Sequence, residues 1–447
     1  MSTATPGSTP QPLSRTARWA VLTAAFAGLV LAGFELALMP VAALSVSKSL
    51  LGAAYTDALG GEWFARFTAS LMLGMAFGGI LMGNLGDRIG RTRAMGTSIV
   101  FYALCSGLGG FAQAQEEMLV LRFFVGLGLG GVWPNAVVLV SECWPSASRP
   151  VVAGVMGAGI NFGILLLSQL VRFVHITPDS WRWIFWLAGL QAILGLIVFF
   201  GLPESPKWLA SRARRKMIPS PVPTGGGTLS IPSKDNVMGR ASNPSILREL
   251  FRPPLLWVTA VGIVLASIPL VGAWAASKWM IPWADKEATA QDPGYKAVVQ
   301  GWWALGATLG SFLGAQVAAW LGRRRAYFLI ALGATVLTIS MFQLTAPLRP
   351  SFLPVVFAQG FVATLFFGWL PLYLPELFPT HVRATGAGVA MNTGRFATAA
   401  GVLMSGILFS ALGGSYPAVG TLAAFIYALG MIVIWFAPDT SRKNLDD

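Results

Sequence analysis

Glu35, Arg122 and Arg395 are ionisable side chains set inside long apolar stretches of a 447-residue chain. Charges persist in such surroundings only when paired or when they face a wet cavity. A carboxylate beside a guanidinium can take up and release a proton, because burial and the neighbouring cation compete over its charge. A guanidinium without such a neighbour suits two-pronged recognition of an incoming carboxylate. Helical rise of about 1.5 Å per residue sets the depths. Glu35 lies about 25 Å along its stretch from Arg18, and Arg122 lies about 30 Å from Glu142, a shared depth that permits an ion pair. Arg395 stands about 18 Å from Arg383, near the middle of a third stretch. No other Asp or Glu falls inside the apolar stretches of the C-terminal half as drawn below, so the expected partner of Arg395 is a bound anion, with a backbone carbonyl or Glu35 as the alternative. Amides and aromatics complete the candidate binding set: Asn161, Asn392, Gln169, Asn135 and Trp133, then Gln300, Gln359 and Tyr373. Buried amides need partners. Trp274, Trp303 and Trp369 are further lining candidates, whereas Trp181, Trp183, Trp186 and Trp279 suit interfacial anchoring.

The elements that position these groups follow from hydropathy. The chain is 55% hydrophobic and only 11% charged, which excludes an ordinary soluble domain. About twenty apolar residues cross a hydrocarbon core of roughly 30 Å. Twelve such stretches occur, at approximately 17–42, 62–83, 94–113, 118–141, 151–174, 183–201, 255–276, 299–321, 326–345, 352–375, 385–408 and 417–437. The net charge of +13 does not point to nucleic acid, because its placement follows the membrane. With the N-terminus inside, most of the 31 Lys and Arg fall on inner segments. That is the positive-inside bias, and it puts both termini in the cytoplasm of an inner-membrane protein. Cys105 and Cys143 suit neither a disulfide framework nor a metal site. The first stretch lacks a cleavage signature and reads as retained helix.

An internal repeat is visible. Glu142, Pro145 and Arg149 match Glu376, Pro379 and Arg383 in spacing, with an offset of 234 residues (376 against 142). Asp87-Arg88-Ile89-Gly90-Arg91 is echoed by Ala319-Trp320-Leu321-Gly322-Arg323 at an offset of 232 (319 against 87). The duplication divides the chain into a disordered tail (1–16), a six-helix bundle (17–201), a cytoplasmic linker (202–254), a second bundle (255–437) and a C-tail (438–447). The linker is Pro/Gly/Ser-rich with a basic run at Arg212, Arg214, Arg215 and Lys216, suited to anionic headgroups. Two such halves place a site between them near the midplane, and the repeat pairs Arg395 with Asn161.

Gly83-Asn84-Leu85-Gly86-Asp87-Arg88-Ile89-Gly90-Arg91-Thr92-Arg93 resembles the motif between helices two and three of the major facilitator superfamily. Arg122 to Gly131 resembles its helix-four motif. Pro203 to Leu209 resembles the motif after helix six in sugar porters and metabolite–proton symporters, as do Pro375 to Thr380 with Arg383 to Gly386 after helix ten. Gly130 to Asn135 leans towards the organic-acid and sialate symporters. The resemblance implies an all-α membrane protein of twelve transmembrane helices, two six-helix bundles with inverted three-helix repeats. It implies gating by Gly83, Asp87, Arg88, Gly90, Arg91, Glu142 and Arg149, with Glu376 and Arg383 in the second half. Ala319 replaces the acid there, so a weaker second latch is expected.

The expectation is a secondary transporter, not an enzyme, importing a small organic anion such as a monocarboxylate, aromatic acid or sialate together with protons. Glu35 and Arg122 would couple the proton, and Arg395 would hold the carboxylate. Expected partners are cargo, protons and lipid, with no nucleic acid, no cofactor and no metal, and the family default is a monomer. Nothing resembles a phosphate-binding Gly-x-x-x-x-Gly-Lys loop, so ATP is not the expected driver. A sugar or polyol porter, a drug or metabolite exporter exchanging with protons, and a non-transporting sensor are the alternatives.

Overall fold

The computed structural model describes residues 13–144, 149–217, 244–379 and 381–440. Residues 1–12 of the expected tail, 218–243 of the linker and 441–447 of the C-tail lie outside the described residues, as does the Arg149 side chain. The first half holds α1 (Arg15–Leu51), α2 (Asp57–Ile89), α3 (Arg91–Gly109), α4 (Gln115–Cys143), α5 (Arg149–Phe173) and α6 (Arg182–Gly201). The second holds α7 (Leu255–Ala288), α8 (Tyr295–Leu321), α9 (Arg323–Gln343), α10 (Phe352–Leu377), α11 (Arg383–Ala411) and α12 (Tyr416–Phe436). Eleven of these are long and apolar enough to cross a membrane by themselves. The twelfth, α3, is diluted by Arg91, Arg93 and a run of Thr and Ser, and it completes the first bundle against α4 and α6. The chain is a multi-pass membrane protein. Exposed Leu104, Phe200, Ile407, Phe425 and Ile432 form outward apolar faces that water would not tolerate at this scale.

Local chemistry sets the helix starts. Ser14, Thr56 and Ser415 each accept a backbone N–H of the first turn of α1, α2 and α12. The segment expected as pure linker carries two short helices, Pro206–Met217 and Pro244–Leu250.

Glycine allows the closest helix contacts. A Cβ on Gly74 or Gly78 of α2 would fall 2.0 Å from the Phe123 or Leu127 carbonyl of α4. On Gly306 or Gly310 of α8 it would fall 2.2 or 2.1 Å from the Phe357 or Phe361 carbonyl of α10. Small residues of this kind let membrane helices pack backbone to backbone. The two glycine pairs are 232 residues apart (306 against 74), the offset read from the motifs, so the two halves are built alike.

The halves meet along α2 with α11 and α5 with α8. At the end remote from the described chain ends they are closed. Phe409 of α11 packs against Gly61 of α2 and stacks on Trp279, which in turn meets Phe64 at 5.1 Å. Lys286 of α7 pairs with Asp57 of α2 at 3.0 Å. Lys296 of α8, almost fully buried, bonds Asp285 at 3.1 Å and donates across the interface to the Ile176 carbonyl at 3.2 Å.

Candidate functional site

Helix ends and helix breaks shape the central cavity. α7 is not one regular helix. It passes from α-helix to a π-turn at Gly272–Ala276 and a 3-10 turn at Ser277–Trp279, then resumes. A Cβ at Gly272 would fall 2.3 Å from the Tyr427 ring, so the break is wedged against α12. Such irregular turns often mark functional positions. The expected stretch 255–276 ends here, which leaves Lys278 between two stretches. The helix instead continues to Ala288 and carries Lys278 into the protein interior, 2% exposed.

Between the halves lies a cavity of about 290 Å³. Its first-half wall includes Leu36, Trp133, Ile160 and Asn161, and its second-half wall Trp274, Lys278, Trp303, Phe367 and Arg395. It reaches towards Leu374, Pro375 and Ala387, close to the ends of α10 and α11 on the side of the chain termini. The wall is mainly apolar and aromatic, with a few polar groups, the usual character of a small-molecule site.

Arg395 lies on this wall. One guanidinium nitrogen donates to the Met75 carbonyl and to Asn392 Oδ1, both at 3.3 Å. No carboxylate pairs with it among the described residues. Asn392 thereby orients Arg395, and its own amide donates to the Gly388 carbonyl. Asn161 faces the cavity from the other half and donates to Ser311 Oγ at 2.8 Å, joining the halves. Trp133 also lines the cavity.

Lys278 is the second cation on the wall, and sequence reasoning missed it. Its ammonium lies 3.3 Å from the centroid of the Trp303 ring, a cation–π seat. That ring is fixed in turn: the Trp303 indole N–H donates to Gln359 Oε1 at 2.8 Å, and Gln359 donates to Ser277 Oγ at 2.6 Å and Thr338 Oγ1 at 3.1 Å.

Glu35 and Arg122 come together as a fully buried ion pair at 2.7 Å. Ser106 Oγ lies 2.9 Å from both carboxylate oxygens, and the guanidinium rests over the Phe185 ring. The pair sits behind the cavity wall: Glu35 is next to Leu36, which lines it.

Five other expected binding residues lie off this cavity. Asn135 donates to the Met82 and Gly131 carbonyls and fastens α4 to α2. Gln300 donates to Ser168 at the α5–α8 seam, and Gln169 borders a separate crevice at that seam. Gln359 acts behind Trp303, and Tyr373 donates to the Pro438 carbonyl while stacking on Trp369. Asn135, Gln300, Gln359 and Tyr373 find their partners within the protein, and residue type alone does not reveal which face of a helix an amide or phenol occupies.

The expected gating residues form two networks at the terminal side. Arg91 pairs with Asp87 at 2.6 Å, and Glu204 accepts the backbone N–H groups of Arg91 and Thr92, capping α3. Gly90 makes this turn with φ +109°, and a Cβ there would fall 2.0 Å from Glu204. Glu142 accepts from Ser205, while Arg88 is exposed and Gly83 faces open space. In the second half Arg323 grips Glu376 with two bonds, 3.0 and 2.7 Å, so the loss of an acid at Ala319 does not leave that turn without an ion pair. Arg383 donates to the Phe378 carbonyl.

A family model described as sugar (and other) transporter matches residues 20–447. The chain is 29% identical to the cis,cis-muconate transport protein of Acinetobacter baylyi over 352 residues, 77% of each chain. It is 27% identical to the gallate transporter of Pseudomonas putida over 431 residues, 93% of this chain and 91% of that one. Its fold is similar to that of the xylose transporter XylE from E. coli in a partially occluded inward open conformation. The TM-score is 0.71 at 18% identity, covering 96% of this chain and 100% of the other.

Proposed function

We propose, from the premise that this chain belongs to the sugar (and other) transporter family, that it imports a small organic anion together with protons. The observation that carries this reading is Arg395: a guanidinium on the wall of a mainly apolar cavity, held by a carbonyl and an amide, with no acid paired to it among the described residues. An unpaired cation in such a place is costly unless the cargo supplies the anion. The aromatic wall of Trp133, Trp274, Trp303 and Phe367 favours a flat, unsaturated carboxylate over a polyol, which would need more hydrogen-bonding groups than the wall offers. Relatives named for muconate and gallate support the same class.

Coupling rests on Glu35. Protonated from outside, it releases Arg122 from a 2.7 Å pair, and the local charge rises by one as the anion arrives. Carrying the two together spares an uncompensated charge the membrane potential, about 2.3 kcal/mol per 100 mV. Orientation follows the basic bias, with the termini and the cavity mouth in the cytoplasm. Asp87, Arg91, Glu142 and Glu204 would then gate by holding α2, α3 and α4 as one body during the swing. Uptake of labelled benzoate, gallate and muconate against xylose in proteoliposomes tests the reading. Saturable uptake of an acid, stimulated by an inward proton gradient, is expected. Uptake of xylose alone would overturn it.

A further inference from the structure

Arg395 and Lys278 share one cavity, and no Asp or Glu lines it among the described residues. The Glu35–Arg122 pair is neutral as it stands, so the cavity wall keeps two cations to be matched. Like charges repel in a low-dielectric site, and each buried ion carries a desolvation cost of its own.

Their spacing is fixed by packing. The Trp279 indole N–H donates to Ser405 Oγ at 3.2 Å, and a Cβ on Gly401 would meet Val271 at 2.7 Å. α7 and α11 therefore run side by side, with Lys278 level with the turn around Ser405. Arg395 lies ten residues earlier, about 15 Å along the axis. Both helices run in the same direction, so both side chains lean the same way and the spacing carries over to their heads. Subtracting two charge-assisted hydrogen bonds of about 2.8 Å each leaves roughly 9 Å between them. Carboxylates at the two ends of a benzene ring or a short conjugated chain reach across most of that gap, and the flexible Lys278 stem closes the rest. Trp303, held by Gln359, is the resting seat of the Lys278 ammonium and the flat surface beside such a ring.

We infer that the preferred cargo is a flat dicarboxylate bound at both ends, one carboxylate on Arg395 and the other on Lys278. The inference rests on the organic-anion reading and narrows it. The experiment compares equilibrium binding of terephthalate and 4-methylbenzoate, which differ by one carboxylate, to the purified full-length protein. Wild type is expected to bind terephthalate at least about tenfold more tightly. Lys278→Met should erase that preference and Lys278→Arg should keep it. Equal binding of the two probes by wild type, or a preference that survives Lys278→Met, overturns the inference. Arg395→Gln separates the two levels: loss of both probes upholds the anion site, whereas binding of both as in wild type removes that reading and the dicarboxylate with it.

Discussion

Glu35, Arg122 and Ser106 form a buried cluster, and the proposed coupling depends on one removable proton at Glu35. Replacing Glu35 by Gln keeps the shape and removes the titration. Glu35→Gln should therefore abolish accumulation driven by a proton gradient while sparing exchange of cargo between two equal pools. A gradient response like that of wild type would remove Glu35 from the coupling. The pair itself was legible in the sequence, because two charges in apolar stretches at one depth have few other partners. Lys278 was not. Its stem and head are satisfied by an aromatic face contributed from another helix, and a contact of that kind leaves no mark in local hydropathy. The amides misled for a related reason. Asn135 and Gln300 are buried, yet their partners are a carbonyl of α2, a carbonyl of α4 itself and a serine of α5, not the cavity.

At the scale of helices, backbone contact and controlled irregularity do the positioning. The Gly74 and Gly78 contacts hold α2 on α4, and their counterparts hold α8 on α10. Gly78→Val would drive a side chain into the Leu127 carbonyl, a backbone atom that cannot swing away. Overpacking of this kind costs about 1–3 kcal/mol or more, so a lowered melting temperature is expected by thermal unfolding in detergent. An unchanged melting temperature would show that the helices separate freely there. The repeat, the motif turns and most helix limits could be read from the sequence, since period and punctuation are local. The continuation of α7 to Ala288 could not. The lysine and serine at its break resemble a loop, and only the packing of Gly272 on Tyr427 shows the helix bending and going on.

Across the whole molecule, one side is closed and the cavity points to the other. The closed side depends on Lys286–Asp57, on Lys296 with Asp285 and the Ile176 carbonyl, and on Phe409 against Gly61. Lys296→Met leaves the partly buried Asp285 without its cation, a loss that reaches about 3–5 kcal/mol in a fully buried pair and is smaller here. The closed arrangement should lose population, and a cysteine at Ala387 should be labelled more slowly from the terminal side than in the Lys296-intact background. Equal labelling rates would dissociate Lys296 from the closure. The proposed swing of the halves needs such a seal to be strong enough to hold and weak enough to open, and a handful of exposed and buried polar contacts fits that requirement.

Uptake of labelled terephthalate, benzoate, gallate and muconate into proteoliposomes by wild type and Arg395→Gln, with reconstitution matched, tests the anion site most directly. Wild type should accumulate at least one of these acids, and Arg395→Gln should reduce its initial rate at least about a hundredfold, the loss of a charge-paired contact worth about 2.7 kcal/mol. An Arg395→Gln protein that transports the same acid at the wild-type rate would contradict the account, and the cargo would have to be sought at another part of the wall.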